Sequence, residues 1–253
     1  MQSLKVIKIG GRIAEDEQSM DLFLKEFIKM KGPKILVHGG GVIATEVAGK
    51  LGIKSEMIEG RRVTNQETLD VVTMVYGGLI NKKIVAKLQS LGVNSLGLTG
   101  ADMNLIKSKK RNPDPVDFGW VGDIENINSE ELKVLIERKV TPVLAPLTHD
   151  GSGNMLNTNA DSITSFVAQE LSEVYDVEMI FCLDIEGVMN GSRLITEMNL
   201  LLYRHLKGIN VIKDGMIPKL DLGFQALKSG VEKVSITKFD SINDSNSGTR
   251  LIQ

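Results

Sequence analysis

Six short runs of apolar, mostly β-branched residues recur along the chain, at 4–9, 34–38, 95–98, 142–145, 179–183 and 233–237. They are apolar almost without alternation, as strands covered on both faces are. Between them lie longer stretches with helical periodicity, the first carrying Met20, Leu24, Phe27 and Ile28 on one face. Thr64-Asn65-Gln66-Glu67 reads as a capping box opening a helix that continues to Ser90, and Asn128-Ser129-Glu130-Glu131 reads as a second box. Pro218 suits the first turn of a helix through Leu222, Phe224 and Leu227. Alternation of this kind specifies an α/β fold around a largely parallel sheet. Residues 107–123 interrupt it with a basic run (Lys107, Lys109, Lys110, Arg111), two prolines and Trp120, and read as a solvated hairpin at the sheet edge.

At 253 residues the chain is one large domain or two closely joined lobes. It has no repeat and no Pro-, Gly- or Ser-rich linker, so a lobe boundary is compact and falls within 168–176. Lys and Arg total 30 against 32 for Asp and Glu, a net charge of −2 with no electrostatic footprint for nucleic acid or an anionic membrane. Cys182 is the only cysteine, which excludes an intrachain disulfide and a cysteine-rich metal site. The N-terminus lacks a signal-peptide core, and no run reaches the roughly 20 apolar residues that span a bilayer. The expectation is a soluble, cytoplasmic protein acting on small molecules.

Parallel sheets place ligands at the carboxyl ends of their strands. The first run ends in Lys8-Ile9-Gly10-Gly11 and the second in His38-Gly39-Gly40-Gly41, ahead of a helical stretch. Glycines there let the backbone approach an anion, and a helix N-terminus behind them adds partial positive charge. A Walker A loop is excluded, because Ala44 and Leu51 stand where it needs Gly and Ser or Thr. Gly39 to Ala44 does fit a dinucleotide fingerprint, with Glu59 at the spacing of a ribose-binding acid, so a nicotinamide-dependent oxidoreductase stays open. Three further charges stand beside glycine turns or helix starts: Lys8, Lys219 after Gly215, and Asp161 two residues beyond Asn159, a candidate N-cap. Singly, each also has an ordinary structural role.

Taken in order, the motifs resemble the amino-acid kinase family, and within it the branch that acts on N-acetyl-L-glutamate. The resemblance rests on Val6-Ile7-Lys8-Ile9-Gly10-Gly11, Val37-His38-Gly39-Gly40-Gly41, Gly60-Arg61-Arg62-Val63-Thr64 and Gly78-Leu79-Ile80-Asn81-Lys82. It continues through Gly97 to Asp102, Trp120 to Asp123, Asn157 to Asp161, Asp184 to Val188, Asp214 to Lys219 and Gly248-Thr249-Arg250. It implies an open αβα sandwich, ATP-dependent phosphorylation of the substrate γ-carboxylate in arginine biosynthesis, and Mg²⁺ carried with the nucleotide. It also implies lobes of residues 1–170 for the acyl amino acid and dimerisation, and 171–253 for ATP. By position, Lys8 and Lys219 would be transition-state lysines and Asp161 their orienter. Gly40, Gly41, Arg62 and Asn157 would contact substrate, and Gly10 and Gly11 phosphate. Asp184, Ile185, Glu186, Gly187, Val188, Met189, Val211, Ile212 and Lys213 would line the nucleotide site, with no metal ligands among the side chains.

A carboxylate nucleophile is already ionised at pH 7, so such a reaction needs no histidine or cysteine base. Its obstacle is repulsion between two anions, which lysines and backbone N–H groups relieve. Hydride transfer would give Lys8, Asp161 and Lys219 no shared task. A non-catalytic binding protein and a lysine-pathway aminoadipate kinase also remain open. Departures from the family pattern are Arg61 in place of leucine, Ala101, Met103, Lys213 and residues 175–178. Arg61 raises a specific alternative, N-succinyl-L-glutamate, whose second carboxylate a guanidinium would pair. The first strand begins near Leu4, with no preceding helix of the kind that links dimers into rings. The expectation is therefore a homodimer without arginine feedback, with Val71, Val72, Val75 and Leu79 as a candidate dimer stripe.

Overall fold

Strand Gln2–Ile9 runs through the middle of an eight-stranded sheet in the computed structural model, which describes residues 1–58, 60–244 and 246–253. On one side of it lie Lys34–His38, Thr141–Leu144 and Ser95–Leu98; on the other lie Tyr175–Leu183, Lys233–Lys238, Thr249–Leu251 and Glu197–Met198. All neighbours are parallel except Lys233–Lys238 with Thr249–Leu251. The six runs read from the sequence are all strands of this sheet, and the αβα expectation holds. Two are longer than their apolar stretches. Gln2 and Ser3, both exposed, pair with Tyr175 and Asp176, so ladder pairing carries both strands into residues that hydropathy does not mark.

Side-chain alternation along Gln2–Ile9 divides the molecule into two cores. Leu4 and Val6 face the helices Ala160–Leu171 and Met216–Lys228, packing with Ile163, Val167, Leu220 and Ala226. Ile7 and Ile9 face the helices Glu17–Lys29 and Gly41–Lys50 and the long segment from Gln66 to Ser90, packing with Phe23, Phe27, Ala44, Val72 and Val75. Lys8 falls by the same alternation on the Leu4 and Val6 side. That places its amine among the helices of the first core, at the strand's carboxyl end.

Several local expectations are corrected. Asn65, not Thr64, caps the long helix, accepting from Thr68 N–H; Thr64 is instead a bridge partner of Gly119. Asn128 precedes the helix Ser129–Glu137 without a side-chain cap bond. The middle of the long helix, Thr73–Ile80, is wound as a π-helix. Val71, Val72 and Val75 are buried in the second core, so that stripe is core packing and not a dimer surface, whereas Leu79 is exposed. The 107–123 hairpin does not extend the main sheet. Its strands, Ile106–Lys110 and Gly122–Ile127, belong to a separate four-stranded sheet with Leu147–His149 and Met155–Asn157. A further two-stranded hairpin, Glu56–Ile58 with Arg61–Val63, stands beside the helix that follows Gly40. No helix among the described residues is long and apolar enough to cross a membrane.

Lys34 shows how tightly the second core is finished. Its buried amine donates to the carbonyls of Phe27 and Met30 and lies 5.2 Å from the Phe27 ring centroid, closing the C-terminus of Glu17–Lys29. The last carbonyls of a helix lack the usual intrahelical donor, and the Phe27 carbonyl otherwise accepts only a 3.3 Å bond from Met30 N–H. Lys34→Met should therefore destabilise the fold by about 1–3 kcal/mol, read as a lower urea midpoint at unchanged slope. An unchanged midpoint would show that the amine contributes nothing there.

Candidate active site

The carboxyl ends of three adjacent strands are level, since Ile9 registers with His38 on one side and with Cys182 on the other. The turns that follow them, Gly10-Gly11, Gly39-Gly40-Gly41 and Asp184 onward, therefore leave the sheet at one edge. Two of the turns touch. A side chain on Gly39 would press on the Gly11 backbone, and one on Gly40 would drive into Ile80 and Tyr76. The space a Gly11 side chain would fill lies 3.4 Å from the nitrogens of both Gly40 and Gly41, and 3.3 Å from Glu15 Oε1. Absent Cβ atoms thus leave backbone nitrogens lining a hollow, with the helix that begins at Gly41 behind it.

Gly40 and Gly41 line a cleft of about 1040 Å³ together with Lys8, Arg62, Asn157, Asp161 and Lys219, among others, whereas Gly10 and Gly11 do not. A smaller hollow of about 400 Å³, between the long helix and Trp120, contains none of the predicted residues. In the large cleft Asp161 Oδ1 lies 2.8 Å from Lys8 Nζ, and Oδ2 lies 3.0 Å from Lys219 Nζ. The three side chains are only 9%, 7% and 15% exposed for Lys8, Asp161 and Lys219. Each reaches this point for a local reason. Lys8 is the penultimate residue of its strand. Asn159 caps the helix Ala160–Leu171 by accepting from Asp161 N–H, which puts Asp161 in the first turn. Lys219 occupies the first turn of Met216–Lys228, where its amine also donates to the Gly215 carbonyl at 3.2 Å. Ser165 Oγ donates to the Leu222 carbonyl at 3.2 Å and ties the two helices together.

Burial alone would raise the Asp161 pKa, but the attraction of Lys8 and Lys219 outweighs it and holds the carboxyl below the usual carboxylate range. A carboxyl depressed on folding adds stability above its unfolded pKa, and that stability is lost as pH falls through the folded value. The triad pairs two lysines with one carboxylate, a net positive charge beside backbone N–H groups. It suits an anion that carries more than one charge.

Arg62 comes from the small hairpin and is almost fully buried. It donates to Ser55 Oγ at 2.9 Å, the Gly41 carbonyl at 2.7 Å and Thr45 Oγ1 at 2.8 Å. Two of a guanidinium's five N–H donors are left for a ligand. Asn157 ends its strand in the second sheet, its side-chain amide donating to Thr64 Oγ1 at 3.0 Å. The nucleotide stretch divides. Asp184, Ile185 and Glu186 form an exposed turn directly beyond the strand Tyr175–Leu183, with Asp184 paired to Arg12 at 3.0 Å, and Gly187 after them is buried. Val188 and Ile212 are buried in the first core, and the Val188 backbone is itself engaged, its N–H donating to Thr249 Oγ1 and its carbonyl accepting from Ile195 N–H. Met189 and Val211 are half-buried and Lys213 is exposed, next to Asp214 and Gly215 of the cleft.

Sequence reading missed several cleft residues. Tyr76 comes from the π-helical stretch, and burial raises its hydroxyl pKa. Arg111, grouped with the solvated basic run, lines the cleft and is held by both oxygens of Asp123. Lys107, Lys109 and Lys110 do not line it. No signal in the basic run separates Arg111 from its neighbours; the pairing across the hairpin does. Glu59, required by the dinucleotide fingerprint, lies outside the described residues. Among the described residues no three His, Cys, Asp or Glu side chains gather as a metal site.

Residues 3–238 match the model of the amino acid kinase family. Acetylglutamate kinase of Bacteroides fragilis is 50% identical over 254 residues, covering 99% of this chain and 97% of that one. Among solved structures, smu.665 from Streptococcus mutans UA159 superposes with a TM-score of 0.82 at 25% identity over 98% of both chains. The N-acetylglutamate synthase of Neisseria gonorrhoeae superposes with a TM-score of 0.84 at 17% identity, over 99% of this chain and 59% of that one, a likeness of fold. With its sheet order, its level glycine turns and a match along nearly its whole length, the chain belongs to the amino-acid kinase family.

Proposed function

We infer that this chain transfers the terminal phosphoryl group of ATP to the γ-carboxylate of N-acetyl-L-glutamate, a step of arginine biosynthesis. The observation that carries the reading is the Asp161 carboxylate holding Lys8 and Lys219 together beside the two glycine turns. The 50% identity to an acetylglutamate kinase supports the choice of substrate. A carboxylate oxygen attacks the γ-phosphorus, the bond to the bridging oxygen breaks, and ADP leaves. No proton need move. Lys8 and Lys219 offset charge on the transferring group, the Gly40 and Gly41 N–H groups donate to its oxygens, and Asp161 keeps the two amines from separating.

In this reading residues 1–170 hold the acyl amino acid, with Arg62 on its α-carboxylate and Asn157 beside it, and residues 171–253 hold the nucleotide. The exposed Ile185, just beyond a strand end, offers an apolar side chain for a purine to cover. Mg²⁺ enters with the nucleotide as part of the substrate. A homodimer and a cytoplasmic location complete the proposal. Hydroxamate trapping of the acyl phosphate, with ATP, Mg²⁺ and a panel of N-acyl glutamates and aminoadipates, tests it directly. A panel without turnover would overturn it.

One observation favours a second acyl group. Arg61 lines the same cleft, exposed where its neighbour Arg62 is buried, and Arg111 lines it too. A succinyl arm ends in a carboxylate that these guanidiniums would pair.

Three outcomes are expected. Lys8→Ala or Lys219→Ala should lower kcat on the order of 10²–10³, the scale of losing one transition-state donor; near-normal turnover in either would remove the lysines from the chemistry. Arg62→Lys should raise KM for the acyl amino acid well above any change for ATP, because a point charge cannot reproduce the guanidinium fork. Equal rises would mark Arg62 as structural. Arg61→Leu should lower kcat/KM for N-succinyl-glutamate relative to N-acetyl-glutamate on the order of tenfold, and an unchanged ratio would discard the succinyl reading.

A further inference from the structure

A polar chain running inward from the exposed residue Lys82 lies behind the Gly39-Gly40-Gly41 turn and takes no part in the reaction as described. Lys82 Nζ donates to Asn81 Oδ1 at 3.2 Å and to the Gly97 carbonyl at 2.7 Å. Asn81 Nδ2 donates to the Val143 carbonyl at 2.9 Å and meets His38 Nε2 at 3.2 Å. His38 Nδ1 in turn lies 2.9 Å from the Gly39 carbonyl. His38 and Asn81 are both fully buried. Gly97 makes room for the arrangement, since a side chain there would overlap the Asn81 amide.

The two ends of the chain dictate where its protons sit. An ammonium only donates and a carbonyl only accepts. Asn81 must therefore turn Oδ1 to Lys82 and Nδ2 to Val143, and its second N–H then points at His38 Nε2. With Nε2 accepting, the imidazole proton resides on Nδ1 and is donated to the Gly39 carbonyl. Burial, aided by the Lys82 charge, pushes the His38 pKa down to about 4, so the ring is neutral at pH 7.

Across a trans peptide the C=O and the following N–H point in opposite directions. Holding the Gly39 carbonyl against the His38 ring turns the Gly40 N–H away from the ring. The Gly40 nitrogen borders the hollow left by the missing Gly11 side chain. We propose that His38, oriented by Asn81 and Lys82, is a positioning residue that aims the Gly40 N–H at the transferring phosphoryl group. The proposal rests on the phosphoryl-transfer reading. It assigns the Gly78-Leu79-Ile80-Asn81-Lys82 motif to aligning the glycine turn rather than to touching substrate. The π-helical stretch that delivers Asn81 also packs Tyr76 and Ile80 against Gly40, so one helix supports the turn at two points.

Nitrogen-15 NMR of the imidazoles at pH 7 tests the network without an assay. The chain has three histidines, and His38→Asn assigns the signal. A neutral Nδ1–H ring is expected; an Nε2–H or protonated ring overturns the proposal. In the hydroxamate assay His38→Leu should lose about tenfold to a hundredfold in kcat with KM for ATP and acyl glutamate within about threefold. His38→Asn, whose amide nitrogen takes the Nδ1 position, should recover most of that loss. A folded His38→Leu with unchanged kcat, or an Asn variant no better than Leu, overturns it. If His38→Leu does not fold, Asn81→Asp carries the test: its added oxygen only accepts, draws the proton to Nε2 and should lower kcat. Unchanged kcat there overturns the proposal. A wild type inactive on every acyl glutamate overturns the phosphoryl-transfer reading, whereas the NMR result still decides the network.

Discussion

A buried carboxylate between two ammonium groups organises this molecule. Asp161 would be unfavourable inside the protein on its own, because burial opposes its ionisation. Lys8 and Lys219 would repel each other at the same point. Each oxygen of Asp161 meets one amine, at 2.8 and 3.0 Å, and both problems are resolved together. The arrangement requires a strand end and two helix N-termini to converge within a few ångströms, which constrains the whole first core. It also leaves one positive charge unmatched, and that surplus is what an anion would meet.

The glycine turns depend on the same convergence. Strands in parallel register end level, so Gly10-Gly11 and Gly39-Gly40-Gly41 meet edge to edge. Without side chains they close to a distance at which the Gly40 and Gly41 nitrogens, together with Glu15 Oε1, line the hollow. Behind them the two faces of the sheet have separate tasks. The first core positions the lysines and Asp161, and the second core, with the long helix and His38, shapes the turns. Arg62 joins the small hairpin to this frame through the Gly41 carbonyl.

Much of the fold was legible in the residues. A strand buried on both faces has few alternatives to an apolar run, so the six runs located the main sheet. Helix starts marked by Asn159 and Pro218 were legible because capping and proline geometry are local. Strand ends were less so: residues 175–178 are drawn into the sheet by pairing with Gln2 to Lys5, a partner distant in sequence. The capping box at Thr64 failed for a related reason, since Thr64 bridges Gly119 and the cap passes to Asn65.

Sequence by itself determined the α/β class, the glycine turns at the strand ends and the identities of Lys8, Asp161 and Lys219, because hydrophobic periodicity, turn chemistry and residue type are properties of short segments. Tertiary structure alone decided that the three charges share one ion cluster and that Val71, Val72 and Val75 belong to the core. It alone decided that Arg111 reaches the cleft and that His38 holds the Gly39 carbonyl through Asn81 and Lys82. Each of these depends on a contact between segments far apart in the chain. Such contacts are set by strand register and helix packing, which no local pattern encodes.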